Sequence, residues 1–307
     1  MAISNIMRAT LRAISRHDLN VCENYQRTRV LFDAAHPPLA SPYQMWDKQV
    51  SVDGHIIPVR LFLPEKGLPE HIAVFFHGGG WVTGNIDSYT NVCARIANQT
   101  GSMVISVDYR LAPEYPFPAG LEDCYAVAKE VITDTNRFGL DSERVLLIGD
   151  SAGGNLAAAV SLLAKQRGEF MPAKQILIYP CTYNDHSPAS PFASVVENGS
   201  DYILTAKRVC DYLELYLGDN DENWNSPYFA PLLAEDLTGQ PETLILTAEF
   251  CPLRDEGEQY GKRLQQAGCK TVIHRIPDAI HGFFALPLAF PAVRQSFDYM
   301  NEFLQEQ

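Results

Sequence analysis

Short apolar runs alternate with amphipathic stretches along most of this chain. The runs are Ile72–Phe76, Met103–Val107, Val145–Ile148, Gln175–Tyr179, Thr243–Thr247 and Thr271–Ile276. Helical spacing of apolar positions falls between them, at about 88–99, 119–134, 154–167, 254–267 and 290–305. Buried strands that alternate with helices predict a mostly parallel sheet covered on both faces. Ahead of the first run, Lys48–Val52 and Ile56–Leu63 flank Asp53-Gly54, which signals a hairpin.

The two ends of this pattern differ from its middle. Residues 1–17 carry Ile3, Met7, Leu11 and Ile14 at helical spacing, with Arg8, Arg12 and Arg16 at i, i+4 and i+8. That is an amphipathic helix. A membrane surface would suit it, but a helix lying over the rest of the protein is the preferred reading. Residues 18–34 continue as a second helix, which His36-Pro37-Pro38 ends. Segment 182–240 is long, rich in Pro, Asn, Asp and aromatics, and holds one helical stretch at about 205–217. A long insertion between two strands of such a sheet is expected to cover a site. Its aromatics Phe192, Tyr202, Tyr212 and Tyr216 are candidates for pocket walls.

Composition narrows the function classes. The 307 residues hold 24 basic and 37 acidic side chains, a net charge of −13. No basic stripe is present, so a nucleic-acid partner is not expected. No apolar run is long enough to span a bilayer, and the N-terminus lacks the continuous apolar segment of a signal peptide. Seven cysteines, an odd number without any C-x-x-C, support neither a zinc nor a redox motif. Scattered thiols suit a reducing compartment, so a cytoplasmic location is expected. Neither a metal nor a cofactor is expected.

Two segments carry chemistry. Gly149-Asp150-Ser151-Ala152-Gly153 is a G-x-S-x-G between an apolar strand and an Ala-rich helix. A sharp strand-to-helix turn there lifts the Ser151 hydroxyl out of the sheet at a helix N-terminus, where amides favour developing negative charge. A purely structural or phosphate-binding turn is the competing reading, but the P-loop lysine and glycine spacing are missing. The second segment is His77-Gly78-Gly79-Gly80-Trp81, directly after the strand Ile72–Phe76. Three glycines leave backbone N–H groups unobstructed, as an oxyanion requires. His77 itself reads as a hydrogen-bonding residue that shapes this loop.

On these residues the chain resembles the hormone-sensitive-lipase-like family of α/β-hydrolases, of the bacterial carboxylesterase and acetyl esterase type. The matching segments are His77–Gly80, Asp108-Tyr109-Arg110-Leu111-Ala112-Pro113-Glu114, Gly149–Asn155 and Ile280-His281-Gly282-Phe283. The resemblance spans roughly residues 45–305. The resemblance implies an α/β-hydrolase fold with a mostly parallel eight-stranded sheet flanked by helices and a helical cap. The cap would comprise residues 1–44 and part of 182–240, over a catalytic domain at 45–307. It also implies that Gly79, Gly80 and Ala152 supply the oxyanion amides, and that Asp108–Glu114 is structural. Dimers are common in the family, which leaves a homodimer open.

Chain order in these hydrolases puts the base last. Of the eight histidines, His281 is the last, and imidazole can take the Ser151 proton and return it to a leaving group. The third member departs from the pattern. The family acid is the first residue of D-P-L-x-D, and here the segment reads Cys251-Pro252-Leu253-Arg254-Asp255. A thiol of ordinary pKa is mostly neutral and a weak acceptor. Four carboxylates are candidate substitutes. Asp255 is one, although Asp255-x-x-Glu258 also reads as a capping box for the helix that follows. Glu249, Asp185 and Asp278 are the others. The remaining alternative is a Ser–His pair with Cys251 in the slot, aided by water.

Two function classes follow. One is a serine carboxylesterase that hydrolyses short-chain acyl esters through an acyl-enzyme; the resemblance implies acyl groups from acetyl to about hexanoyl. Deacetylation of sugars or small amides would use the same machinery. The other is a weakened or inactive hydrolase that binds a small ligand. Retention of Ser151, His281 and the Gly79-Gly80 loop favours the enzyme.

Overall fold

The computed structural model describes residues 5–15, 20–38, 43–52 and 54–305. Two helices, α1 (Asn5–Ser15) and α2 (Val21–Ala35), precede the sheet. The strands β1 (Met45–Val52) and β2 (His55–Phe62) form the expected hairpin, with Val52 opposite His55 and Gly54 at φ 81° in the turn. A left-handed residue is what a two-residue hairpin turn demands, and glycine adopts it without a Cβ clash.

Alternation then sets in. The order is β3 (His71–Phe76), α3 (Thr90–Thr100), β4 (Ser102–Val107), α4 (Ala119–Thr133), β5 (Val145–Asp150), α5 (Ala152–Arg167) and β6 (Lys174–Ile178). The insertion contributes α6 (Ala193–Asn198) and α7 (Ala206–Leu217). The chain closes with β7 (Glu242–Phe250), α8 (Arg254–Gln266), β8 (Thr271–Ile280) and α9 (Pro291–Gln305). The eight strands lie in the order β1-β2-β4-β3-β5-β6-β7-β8. β2 pairs antiparallel with both neighbours, and every pair from β4 to β8 is parallel. The fold is that of an α/β-hydrolase, as the sequence pattern and the resemblance implied.

The apolar runs explain the core. Val74, Phe75 and Phe76 of β3 and Leu147 and Ile148 of β5 are fully buried. A central parallel strand with helices on both faces has no solvent side, so it reads as a continuous apolar run. The core lies on both faces of β3, β5 and β6, and the carboxyl ends of these strands carry the loops that hold the chemistry.

The first helix lies over the insertion through polar contacts. Ser15 Oγ accepts the Ile203 N–H at 2.8 Å, and Arg12 pairs with Asp201 at 3.3 Å. The apolar stripe is less inward than its spacing predicts: Ile14 is 51% exposed. Ile3 and Arg16 lie outside the described residues. α2 packs on α7, and Arg29 reaches past it to donate to Val82 O at 2.6 Å and to Ala112 O at 2.8 Å. Arg29 also forms a two-pronged pair with Glu114. Among the described residues, no helix is long and apolar enough to cross a membrane.

Candidate active site

The turn from β5 into α5 holds Ser151 at φ 55° and ψ −118°. This is a sparsely populated conformation for an L-residue, and such residues persist only where surrounding structure over-determines them. The surroundings here are backbone. A Cβ on Gly149 would stand 2.1 Å from Gly153 O, and a Cβ on Gly153 would stand 1.9 Å from Phe76 O. Both glycines of the motif are therefore required by close approach. Ser151 N–H donates to Ile178 O at 2.8 Å, which ties the turn to β6.

His281 follows the end of β8. Its Nε2 lies 2.9 Å from Ser151 Oγ, within hydrogen-bond reach. On its other side, Nδ1 lies 3.1 Å from the sulfur of Cys251. Cys251 is fully buried, and its sulfur also accepts the Leu253 N–H at 3.4 Å. Burial raises the Cys251 thiol far above its ordinary pKa, so it is a neutral S–H. Burial also pushes His281 down from 6.5 to about 3. Among the described residues, no carboxylate is hydrogen-bonded to His281.

Three of the four carboxylate substitutes accept hydrogen bonds elsewhere. Asp255, the leading candidate from the sequence, accepts the Ser194 N–H at 2.8 Å and Arg254 Nε at 2.8 Å. It does not form a capping box either. The residue before α8 is Leu253, without a side-chain cap, and Glu258 binds Thr247 Oγ1 at 3.0 Å and Arg275 Nε at 2.8 Å. Tertiary partners claimed both side chains of a locally plausible motif. Glu249 accepts the Asp278 N–H at 2.7 Å, and Asp185 accepts the Ser187 N–H at 2.8 Å. Asp278 stands in the left-handed region at φ 58°, within an irregular stretch of β8.

The glycine loop after β3 faces the turn of Ser151. Gly78 N–H donates to Asp150 Oδ1 at 2.8 Å. The candidate oxyanion donors remain those the resemblance implies, Gly79, Gly80 and Ala152. Gly79 and Gly80 have φ of 114° and 63°, and Gly79 O accepts Thr83 N–H at 2.9 Å. His77 is fully buried, with Nδ1 2.8 Å from Gly78 O and its ring stacked on Tyr109 at 4.3 Å. Burial holds it near pKa 4, so it is neutral and shapes the loop, as its position in the sequence suggested.

Asp150 is a residue the motif hid. It is buried, and besides Gly78 it accepts Tyr89 OH at 3.1 Å. Tyr179 OH lies 3.5 Å away. Burial raises Asp150 to about 7. Through Asp150 the turn of Ser151 grips the glycine loop 72 residues earlier in the chain. No local pattern announces that link.

A separate buried group, Cys181, His186 and Glu256, places its ligand-type atoms within 4.8 Å of one another. Its atoms already serve one another: His186 Nε2 is 2.5 Å from Glu256 Oε2, and Glu256 Oε1 accepts the Thr182 and Tyr183 N–H groups at 2.6 and 3.1 Å. The group ties the loop after β6 to α8.

Residues 73–285 match a family model described by the alpha/beta hydrolase fold. An arylesterase of Saccharolobus solfataricus is 36% identical over 78% of this chain and 77% of its own length. The carboxylesterase NlhH of Mycobacterium tuberculosis is 36% identical over 85% of this chain and 82% of its own. Among solved structures, a hyperthermophilic esterase from Pyrobaculum calidifontis superposes with a TM-score of 0.83 at 35% identity, covering 99% of this chain and 98% of that one. The chain therefore belongs to this α/β-hydrolase family, in its hormone-sensitive-lipase-like branch of bacterial carboxylesterases.

Proposed function

We propose that the protein is a serine carboxylesterase acting on short-chain acyl esters, with a thiol where its family carries an acid. The supporting observation is the chain of contacts from Cys251 through His281 to Ser151. Ser151 Oγ attacks the ester carbonyl while His281 Nε2 accepts its proton. The amides of Gly79, Gly80 and Ala152 stabilise the oxyanion of the tetrahedral intermediate. His281 returns the proton to the leaving alcohol, then activates water against the acyl-enzyme. The helices α1 and α2, with part of the insertion, form the cap over this site. The names of the similar esterases support ester hydrolysis.

Cys251 makes the triad slow rather than absent. A carboxylate can only accept, so it forces the proton onto Nδ1 and leaves Nε2 free to receive the serine proton. A neutral thiol can accept from Nδ1–H or donate to bare Nδ1. The second arrangement puts a proton on Nε2 and blocks the transfer. The thiol also leaves the imidazolium of the transition state without a contacting negative charge.

Hydrolysis of p-nitrophenyl acetate tests the reading, with Ser151→Ala as the control. The expected result is turnover that disappears in the control, with an acetyl adduct on Ser151 detected by mass spectrometry. Equal rates in both proteins would favour the ligand-binding alternative.

A further inference from the structure

The glycine loop is held from outside by one face of α7. Tyr212 and Tyr216 stand four residues apart on this helix, so they share a face. Tyr212 lies against Gly80 so closely that a Cβ there would stand 2.4 Å from two of its ring atoms. Thr83 Oγ1 donates to Gly79 O at 2.9 Å. The next residue, Trp81, is stacked on Tyr216 with ring centres 4.3 Å apart and planes within 1°. Both rings of that pair are buried.

What they hold is strained backbone. Gly80 sits at φ 63°, and Trp81, a bulky L-residue, sits at φ 59°. Left-handed conformation is costly for such a residue and needs surrounding structure to maintain it. Two consecutive left-handed residues fix the course of the chain here, and with it the direction in which the loop's N–H groups point. The fixed direction of these amides is worth most where charge develops in a water-poor site.

We propose that Tyr212 and Tyr216 form a clamp that positions the oxyanion loop, with Tyr212 as the positioning residue for the Gly80 amide. This rests on the esterase reading above. The clamp places part of the catalytic geometry under control of the insertion that carries α7. Because α2 packs on α7 and Arg29 donates to Val82 O, the second N-terminal helix also braces this loop. An ester carbonyl would meet a hole shaped by elements outside the central sheet.

The test combines kinetics with backbone hydrogen exchange in the full chain. In Tyr212→Ala, kcat for p-nitrophenyl acetate should fall about tenfold or more, with KM changed less than about threefold. Exchange of the peptide spanning Phe76–Gly84 should quicken while that of β5 and α5 stays as in the wild type. Tyr212→Phe keeps the ring on Gly80 and should stay within about threefold in kcat. A Tyr212→Ala protein with unchanged exchange over Phe76–Gly84 would overturn the clamp, as would a rise in KM at constant kcat, which marks a substrate wall. The exchange readout does not need turnover, so failure of the esterase reading in the Ser151→Ala comparison stays separate from failure of the clamp.

Discussion

The sulfur of Cys251 lies 3.1 Å from Nδ1 of His281, and the opposite nitrogen of the same ring lies 2.9 Å from Ser151 Oγ. A serine, an imidazole and a thiol are thus aligned in the order that normally ends in a carboxylate. On the proposed reading, the thiol fills the place of the acid without its charge. Several consequences can be measured.

The first concerns pH. Burial alone sets His281 near 3, since no neighbouring anion raises it. Catalysis needs the neutral ring, so kcat/KM falls only as pH drops through that pKa. The acid limb of the wild-type profile should lie well below pH 6. In Cys251→Asp the carboxylate favours the imidazolium, and the limb should move upward by at least one pH unit. A wild-type limb at 6.5 or above would mean that a negative charge already acts on His281.

A second prediction concerns the carboxylates that might have replaced the acid. Asp255 is committed to Ser194 and Arg254, and Asp185 to Ser187. Asn at position 185 or 278 should change kcat by less than about threefold. Asp255→Asn weakens the contact between α6 and α8, so its effect should appear in the melting temperature more than in kcat. A hundredfold loss of kcat in any one of them, with the fold intact by circular dichroism, would reveal a substitute acid.

Asp150 gives a stability prediction. Its folded pKa of about 7 lies above the unfolded value of ~3.9. A raised carboxyl pKa contributes stability below the unfolded value and loses it as pH rises through the folded one. Asp150 should therefore make the protein progressively less stable between about pH 4 and 7. In Asp150→Asn the amide oxygen can still accept Gly78 N–H, and this pH-dependent slope should disappear from urea midpoints. An unchanged slope would place the titration elsewhere.

These residues also show what a sequence can disclose. Ser151 and His281 were legible because each sits in a short motif at the end of a strand, where spacing and chemistry coincide. Strands β3 to β8 were legible for a related reason, since buried parallel strands are continuous apolar runs, and β1 and β2 through the turn signal between them. β8 was read short, to Ile276, because Pro277-Asp278 interrupts its pattern, yet pairing resumes at Ile280. The helix α6 went unread because its six residues are anchored by Ser194 to Pro252 O and Asp255, partners far along the chain. Asp255 misled for the same reason, since its local motif suits a cap while its actual partners are tertiary. Asp150, Tyr212 and Tyr216 act on a loop more than 60 residues away in sequence, and no periodicity encodes such contacts.

On the proposed reading, the acid position holds a neutral thiol that no carboxylate replaces. Measuring kcat for p-nitrophenyl acetate in Cys251→Asp against the wild type tests it most directly. Misdirecting the triad proton has cost ~10⁴-fold in model serine hydrolases. Restoring a carboxylate beside Nδ1 should therefore raise kcat by about a hundredfold or more. A change below about tenfold in a correctly folded variant would contradict the account, because it would mean that the acid's role is already filled.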